Sequence, residues 1–454
     1  MAFTAVANTS NLDLASFLKI YQSNGVYNNL ATQSDLWKYF LKLRARGAEG
    51  RSLKYLLRTG YGPGAVQSLA IDEGAYPAAQ RSDLQEASAQ YKDFGVTISV
   101  PKSLLGRTGN DLVQYADPLT EELDAKAIAS ARVMSAQTMG DGSGVIGVIE
   151  GTPSTSATLI TVVLDTTNAA AGRSHIGWFM EGDKVKFAST AGAAQDAANT
   201  GADGAYYQVE SVNADTDTIT LSWRTSAGVA LTDITGAGTL SDGDYIYRFG
   251  TTPNDYSGAV SDYGTASECI VGLESLAADD GRVVNGLTMS GTLAGSWKDA
   301  SGAAIDPSHF QSALSKAKRR AGKGRYKYKQ AFMFDTVYDA LVEANETDRR
   351  FQVGDPGNRG FKSLGYQHQQ DFVEFVTDEF VSKKRIWILP ESKEVLEFHG
   401  KDFEVVEVNK GQKFHMGING DGLNTRTVKS YMEGSAVVVC KHPAAIIAIE
   451  NFSV

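Results

Sequence analysis

The chain has 454 residues, with 43 Lys and Arg against 53 Asp and Glu and a formal net charge of −10. With 42% apolar and 21% charged residues it has the composition of a globular protein with room for several domains, and it has no run of about 18 apolar residues to cross a membrane. The acidic balance argues against a specific nucleic-acid binder, two cysteines (Cys269 and Cys440) exclude a disulfide framework or four-cysteine zinc site, and no secretory signal is expected at the N-terminus.

Residues 1 to about 34 are polar and weakly patterned, an arm without a core. From Ser34 the spacing of Leu36, Tyr39, Phe40 and Leu43 predicts a helix with Asp35 in its first turn. Gly47 and Gly50 interrupt it, and SLKYLLRTG is expected to continue it. Residues 60–105 predict a long hairpin with strand-like flanks at 65–71 and 86–100 and a polar tip at 72–83. So long a ribbon is marginal alone and should lie on something else, unless it is an internal hairpin of a larger sheet. DPLTEELDAKAIASARVMSAQTM, 117–139, predicts the clearest helix. Asp117 suits its cap and Pro118 its first position, and Leu119, Leu123, Ala127, Ala131 and Met134 share one face.

Residues 152–258 change character, being rich in Thr, Ala, Asp and Gly. ATLITVVLD, DKVKFAS, AYYQVESV, DTITLSW and DYIYRFG predict an all-β module, a small barrel or sandwich, between the linker-like GTPSTS and TTPNDYSG. MEGDKVKF and SDGDYIYRF share a Gly-Asp-x-[Val/Ile] entry into a strand. After the module, 267–278 predicts a helix and DPSHFQSALSKAKRRAG another. QAFMFDTVYDALVEAN predicts a buried strand running into a helix. RIWILPESKEVLEF and KDFEVVEV predict strands, and SAVVVCKHPAAIIAIENF two apolar strands broken at His442-Pro443. An α+β body is therefore split around an inserted β-module.

Gly142-x-Gly144-x-x-Gly147 has the spacing of a dinucleotide phosphate loop. It follows a helix and precedes an apolar strand, the reverse of the order that aims a helix N-terminus at a pyrophosphate, so a glycine cap and turn is expected. Asn213, Asp215 and Asp217 open like a calcium loop, but Thr218 and Arg224 stand where Gly and Glu are needed. Gly420-Asp421-Gly422 reads as a tight reversal. No GxSxG elbow or P-loop occurs. Both cysteines read as small buried hydrophobes, and the histidines (175, 309, 368, 399, 415, 442) sit in unrelated contexts. No catalytic, metal or cofactor residue is assigned, and the chain is not expected to be an enzyme. The strongest charge cluster is Lys316, Lys318, Arg319, Arg320, Lys323, Arg325, Lys327 and Lys329, with Tyr326 and Tyr328 between. It fits a solvated helix end, a contact with an acidic neighbouring subunit, or nucleic-acid phosphate.

The order of parts (arm, extended hairpin, one long helix, split α+β body, closing apolar strands) resembles the HK97-like major capsid protein of tailed bacteriophages. AFMFDTVYDALVEA, FKSLGYQHQQDFVEFV and VVVCKHPAAIIAIENF are similar to segments of that family. The resemblance covers 1–151 and 259–454; some members carry an inserted β-domain at the remaining stretch. It implies an N-arm at 1–45, an extended loop at 46–104, and a peripheral domain at 105–151 continued at 259–325. It further implies an inserted β-domain at 152–258, and an axial domain with returning peripheral strands at 326–454. It implies a structural, non-enzymatic subunit that self-assembles as hexamers and pentamers into an icosahedral shell around double-stranded DNA. Assembly would occur in the host cytoplasm with scaffolding, portal and decoration proteins as partners and no membrane. Arm and hairpin have little local core and should bury apolar surface on neighbours at about 25 cal/mol per Å². Subunit-contact candidates are then Glu73, Tyr76, Pro77 and Arg81 at the hairpin tip and Arg319, Arg320, Lys323 and Arg325 in the basic cluster. The family's lysine–asparagine cross-link is not expected. Glu433 matches the assisting glutamate, but the acceptor place falls at about Arg426, with Asn424 the nearest amide, and the 72–83 tip has no lysine. The alternatives are an encapsulin-like cellular shell and a tail-associated binding protein. A nucleotide enzyme at 142–147 is the third.

Overall fold

A computed structural model describes residues 34–45, 51–58, 83–101, 126–156 (127 and 131 apart), 158–166, 173–188, 206–224, 240–248, 269–321, 326–346, 365–368, 371–405, 415–418 and 424–453. The helix read from Ser34 is α1, Asp35–Lys42. The Ser34 hydroxyl caps it by accepting the Trp37 N–H at 3.1 Å, and Leu36, Trp37, Tyr39 and Phe40 are buried.

Two expectations in the first half of the body are corrected. SLKYLLR does not continue the helix: it is strand β1, Ser52–Arg58, paired antiparallel along its whole length with β2, Leu84–Gln90. Leu53, Tyr55 and Leu57 alternate, a period of two that the helical reading passed over. The ribbon seen is 52–58 paired with 84–90; the expected first flank, 65–71, lies outside the described residues. The second flank, expected to be strand-like over 86–100 as one side of the hairpin, divides at Tyr91, because β3, Lys92–Pro101, leaves for another sheet. The long helix is seen over 126–139 as α2; its expected cap at Asp117-Pro118 lies outside the described residues.

After α2 the chain turns at Gly142 and Gly144, both at positive φ, and enters β4, Val145–Thr155. With β5 (Leu159–Leu164), β6 (Lys184–Ala188), β7 (Tyr206–Asn213), β8 (Thr218–Arg224) and β9 (Tyr245–Arg248) it closes a barrel of order β4-β5-β8-β7-β6-β9. Alternate residues, among them Ile149, Ile160, Val162, Val185, Phe187, Tyr207, Val209, Ile219, Leu221 and Ile246, are buried.

The barrel carries an internal repeat. Gly182 and Gly243 lie at φ +88° and +84°, a region open to glycine. Asp183 and Asp244 each accept, through Oδ2, the N–H three residues earlier, from Met180 at 3.0 Å and Ser241 at 2.7 Å. Gly182 N–H donates to Val209 O and Gly243 N–H to Ile149 O, and the bonds return from Val209 N to Asp183 O and Ile149 N to Asp244 O. The register is symmetric: Lys186 pairs with Tyr247, its counterpart in the repeat, and Val162 pairs with Ile219, which is likewise its own. The halves are β6-β7-β8 and β9-β4-β5, so the chain enters and leaves in the middle of one half.

The predicted helix at 267–278 is shorter than expected: among its described residues, 269–278, only Leu273–Leu276 (α3) is helical. Gly272 lies against the end of α2, where a Cβ would fall under 3.0 Å from the carbonyl oxygens of Gln137, Thr138 and Gly140. That approach holds the backbone extended, at φ −89° and ψ −173°, and the helix starts only after it. A two-residue hairpin follows, β10 (Val283–Val284) and β11 (Leu287–Thr288), turned by Asn285-Gly286 at φ +53° and +84°. β12 is Ser296–Asp299. Helix α4, Pro307–Ala321, starts where expected, with Asp306 accepting the Ser308 N–H at 2.6 Å.

Strand β13 (Tyr328–Met333) runs into α5 (Asp335–Glu346), as read; β14 (Gly365–His368), β15 (Asp371–Thr377), β16 (Arg385–Pro390) and β20 (Ile447–Glu450) complete a six-stranded mixed sheet of order β12-β20-β16-β13-β15-β14. One face holds Ala331, Met333, Ile386, Ile388, Ile447 and Ile449 against α4 and α5. The other turns Phe332, Trp387, Leu389 and Ala448 into the main core, which continues into the barrel. Burial on both faces accounts for the unbroken apolar runs of β16 and β20. KDFEVVEV is not a separate strand: its first half extends β17, Leu396–Val405, past a bulge. β17 and β18 (His415–Ile418) flank one side of the 17-residue β19, Asn424–Cys440, and β3 the other.

Candidate assembly surface

The β1–β2 ribbon is a sheet of two strands with two unlike faces. Tyr55, Leu57, Ala87 and Ala89 are buried on the inner face. The Asn285 tip sits beneath them: its side-chain amide donates to Tyr55 Oη at 3.1 Å, and its carbonyl accepts the Ser88 N–H at 3.3 Å. Burial raises the Tyr55 phenol far above its ordinary value and the Asn285 bond only partly opposes this, so the hydroxyl stays protonated. The outer face bears Lys54 and Glu86, paired at 2.6 Å, and beside them Leu56 and Leu84, 62% and 54% exposed. In the register Leu56 faces Glu86 and Arg58 faces Leu84, so the two leucines are diagonal neighbours at the outward end of the ribbon. Exposed leucines side by side on a two-stranded ribbon form an apolar contact site that the described residues do not cover.

The predicted contact residues Glu73, Tyr76, Pro77 and Arg81 lie outside the described residues, as do Lys323 and Arg325. Arg319 and Arg320 are exposed at the end of α4. Arg320 nevertheless donates to Gly295 O at 2.5 Å, Lys316 donates to Trp297 O, and Lys318 pairs with Asp371 at 2.8 Å. Three of the eight basic residues thus join α4 to the body, which the sequence did not reveal because the acceptors are carbonyls and an acid far away in the chain. Sequence reasoning also missed Leu56, Leu84 and Asn285. The Asn-Gly dipeptide between Val283-Val284 and Leu287-Thr288 is a hairpin signal that was there to be read.

The glycine spacing at 142–147 holds no room for a nucleotide. The cavity beside it, lined by Gly140, Asp141, Gly142, Gly144, Arg248 and Cys269 among others, measures ≈ 20 Å³, about one water. Asp141 is buried and accepts the Ser143 N–H at 2.9 Å and Arg173 Nε at 2.5 Å, so its charge is already matched. Asn213, Asp215 and Asp217 form the β7–β8 turn: Asn213 Oδ1 accepts the Asp215 N–H, and Asp217 pairs with Lys383 at 2.8 Å. Among the described residues no group of three or more His, Cys, Asp or Glu is placed to hold a metal. Most of 417–424 lies outside the described residues, and Glu433 is exposed on β19. Both cysteines are buried, and burial pushes the Cys440 thiol up to about 12, so it is a thiol at neutral pH. Between α3 and the mixed sheet, Arg385 pairs with Glu274 at 2.8 Å and with Glu450, and stacks on Trp297. Burial raises the Glu274 carboxyl and Arg385 draws it back.

No family model matches the chain, and no curated protein matches it. Among solved structures it is similar to the capsid asymmetric unit of cyanophage A-1(L), at 9% identity over 92% of this chain and 93% of that one, with a TM-score of 0.48. It is similar to the capsid of a native GTA particle (9% identity, 91% and 90% covered, TM-score 0.42) and to the holo-SrpI encapsulin of Synechococcus elongatus (8%, 90% and 85%, 0.37). Phage capsid proteins and an encapsulin are thus among the solved structures to which the chain is similar.

Proposed function

We propose that this chain is the major subunit of a virus shell, closing as hexamers and pentamers around double-stranded DNA. The observation that carries the proposal is the outer face of the β1–β2 ribbon: Leu56 and Leu84 stand exposed on a two-stranded sheet whose inner face alone is satisfied. A sister copy covering that face buries both side chains, and identical contacts repeated around a ring convert modest burial into cooperative closure. In this reading 1–45 is an arm and 46–104 an extended loop. Residues 105–151 and 259–325 form a peripheral domain, 152–258 an inserted module, and 326–454 an axial domain with returning strands. The contact candidates at the tip (Glu73, Tyr76, Pro77, Arg81) and at the end of α4 (Arg319, Arg320, Lys323, Arg325) extend the same interface. The shell assembles in the host cytoplasm, and scaffolding, portal and decoration proteins are its further partners. The net charge of −10 suits a container that must not adhere to packaged DNA.

The test is negative-stain microscopy with sedimentation on the purified chain and on Leu56→Ser/Leu84→Ser. The wild type is expected to form closed particles, and the variant to stay folded but sediment as small species. A wild-type monomer at high concentration, or a double variant that assembles normally, overturns the proposal.

A further inference from the structure

The loop between β15 and β16 touches four parts of the molecule within six residues. Asp378 donates its N–H to Met333 O at the end of β13 at 2.9 Å. Its Oδ2 accepts the Ser34 hydroxyl at 2.6 Å and the Leu36 N–H at 2.9 Å, so it caps α1 from more than 340 positions away. The next two carbonyls face the barrel: Glu379 O accepts His175 Nε2–H at 2.7 Å, and Phe380 O accepts Trp178 Nε1–H at 2.9 Å. Lys383 reaches the β7–β8 turn, donating to Ala214 O at 2.8 Å and pairing with Asp217. Arg132 of α2 lies over the Phe380 ring and donates to Gly177 O and Phe179 O. A Cβ on Gly177 would lie 2.6 Å from Glu379 O, so the seam closes backbone to backbone.

We infer that residues 378–383 are a clasp that makes docking of α1 and seating of the barrel one coupled equilibrium. Asp378 Oδ1 also accepts the Phe380 N–H at 2.9 Å, so the carboxylate that holds α1 fixes the peptide whose carbonyl holds Trp178. Loss of the α1 contacts frees Asp378 to turn, and the Glu379 and Phe380 carbonyls turn with it, away from His175 and Trp178. By linkage the reverse holds: an unseated barrel weakens the hold on α1. Helix α1 is thereby connected to the barrel through residues 378–383. Asp378 is a positioning residue here, and the inference stands whether or not the chain forms a shell.

Hydrogen exchange of the full-length chain tests this by comparing peptides covering 34–45 with peptides covering 174–180 and 206–217. Ser34→Ala is expected to speed exchange at the barrel seam at least five-fold, Trp178→Phe to speed it in α1 by a similar factor, and Ser34→Thr to restore both. In the Ser34→Ala/Trp178→Phe double variant the factors should fall well short of their product. Val337→Ala, in the second core, controls for general loosening and should leave the ratio of the two regions unchanged. Acceleration confined to the side that carries the substitution, or factors that multiply in the double variant, overturns the clasp.

Discussion

His175 is wholly enclosed between the barrel and Phe334, and desolvation lowers its imidazole to about 4 although the Glu379 carbonyl, Asp217 and Asp335 favour the charged form; Lys383 opposes it. In the unfolded chain it titrates near 6.5. The native state therefore binds fewer protons than the unfolded state between about pH 6.5 and 4; the stabilisation is complete above 6.5 and is lost as pH falls. The loss reaches about 3 kcal/mol over that window. His175→Gln keeps a donor for Glu379 O without a titrating group. Chemical denaturation from pH 7 to 5 should show its stability falling less steeply than the wild type's by about 1.4 kcal/mol per pH unit at most. The buried acids Glu274 and Asp378 are raised and act with the opposite sign, but they are common to both proteins and cancel in the comparison. At Gly272 the prediction is steric. Ala there drives a methyl into three carbonyl oxygens, and overpacking against backbone should lower the unfolding free energy by about 3 kcal/mol, read from the denaturant midpoint. Neither site could be recognised in the sequence: His175 and Gly272 look ordinary until distant segments meet them.

Elements were legible where one pattern governed the segment. The barrel strands, α1, α4 and the β13–α5 pair each show a clear period and start signal, whereas SLKYLLR offers a helical and a strand-like reading of the same leucines. Pairing with β2, a long-range contact, decided between them. The exposed Leu56 and Leu84 follow from that register, so the candidate surface was hidden by the same ambiguity. The β10–β11 hairpin props the ribbon through one residue, Asn285, by its side-chain amide and its backbone carbonyl. Asn285→Ala removes the amide bond to Tyr55 and places Ala at φ +53°, and together these should cost about 2 kcal/mol. Hydrogen exchange should rise in β1 and β2 ahead of the rest of the chain; exchange unchanged in the ribbon would show that the hairpin tip does not support it.

On the scale of the whole molecule, barrel, ribbon, α1 and one face of the mixed sheet share a continuous apolar core, and α4 and α5 close a second core on the other face. Calorimetry should show barrel and body unfolding in one transition. Trp178→Ala, removing a buried indole worth about 3–5 kcal/mol, should lower its midpoint instead of splitting off an early barrel peak. The order of parts along the chain was legible, because composition changes abruptly at the module; how the parts join was not, since the joints combine backbone carbonyls with single charged side chains from distant segments. The barrel's doubled construction bears on kinetics. Its second half, β6-β7-β8, is contiguous, whereas the first must recruit β9 from about a hundred residues beyond β4, a closure of much greater contact order. The tight β7–β8 reversal is therefore the natural nucleus, and pulse labelling during refolding should find amides 206–224 protected before those where β4 meets β9. The last zipper to close would be the very one that ties the module to its host.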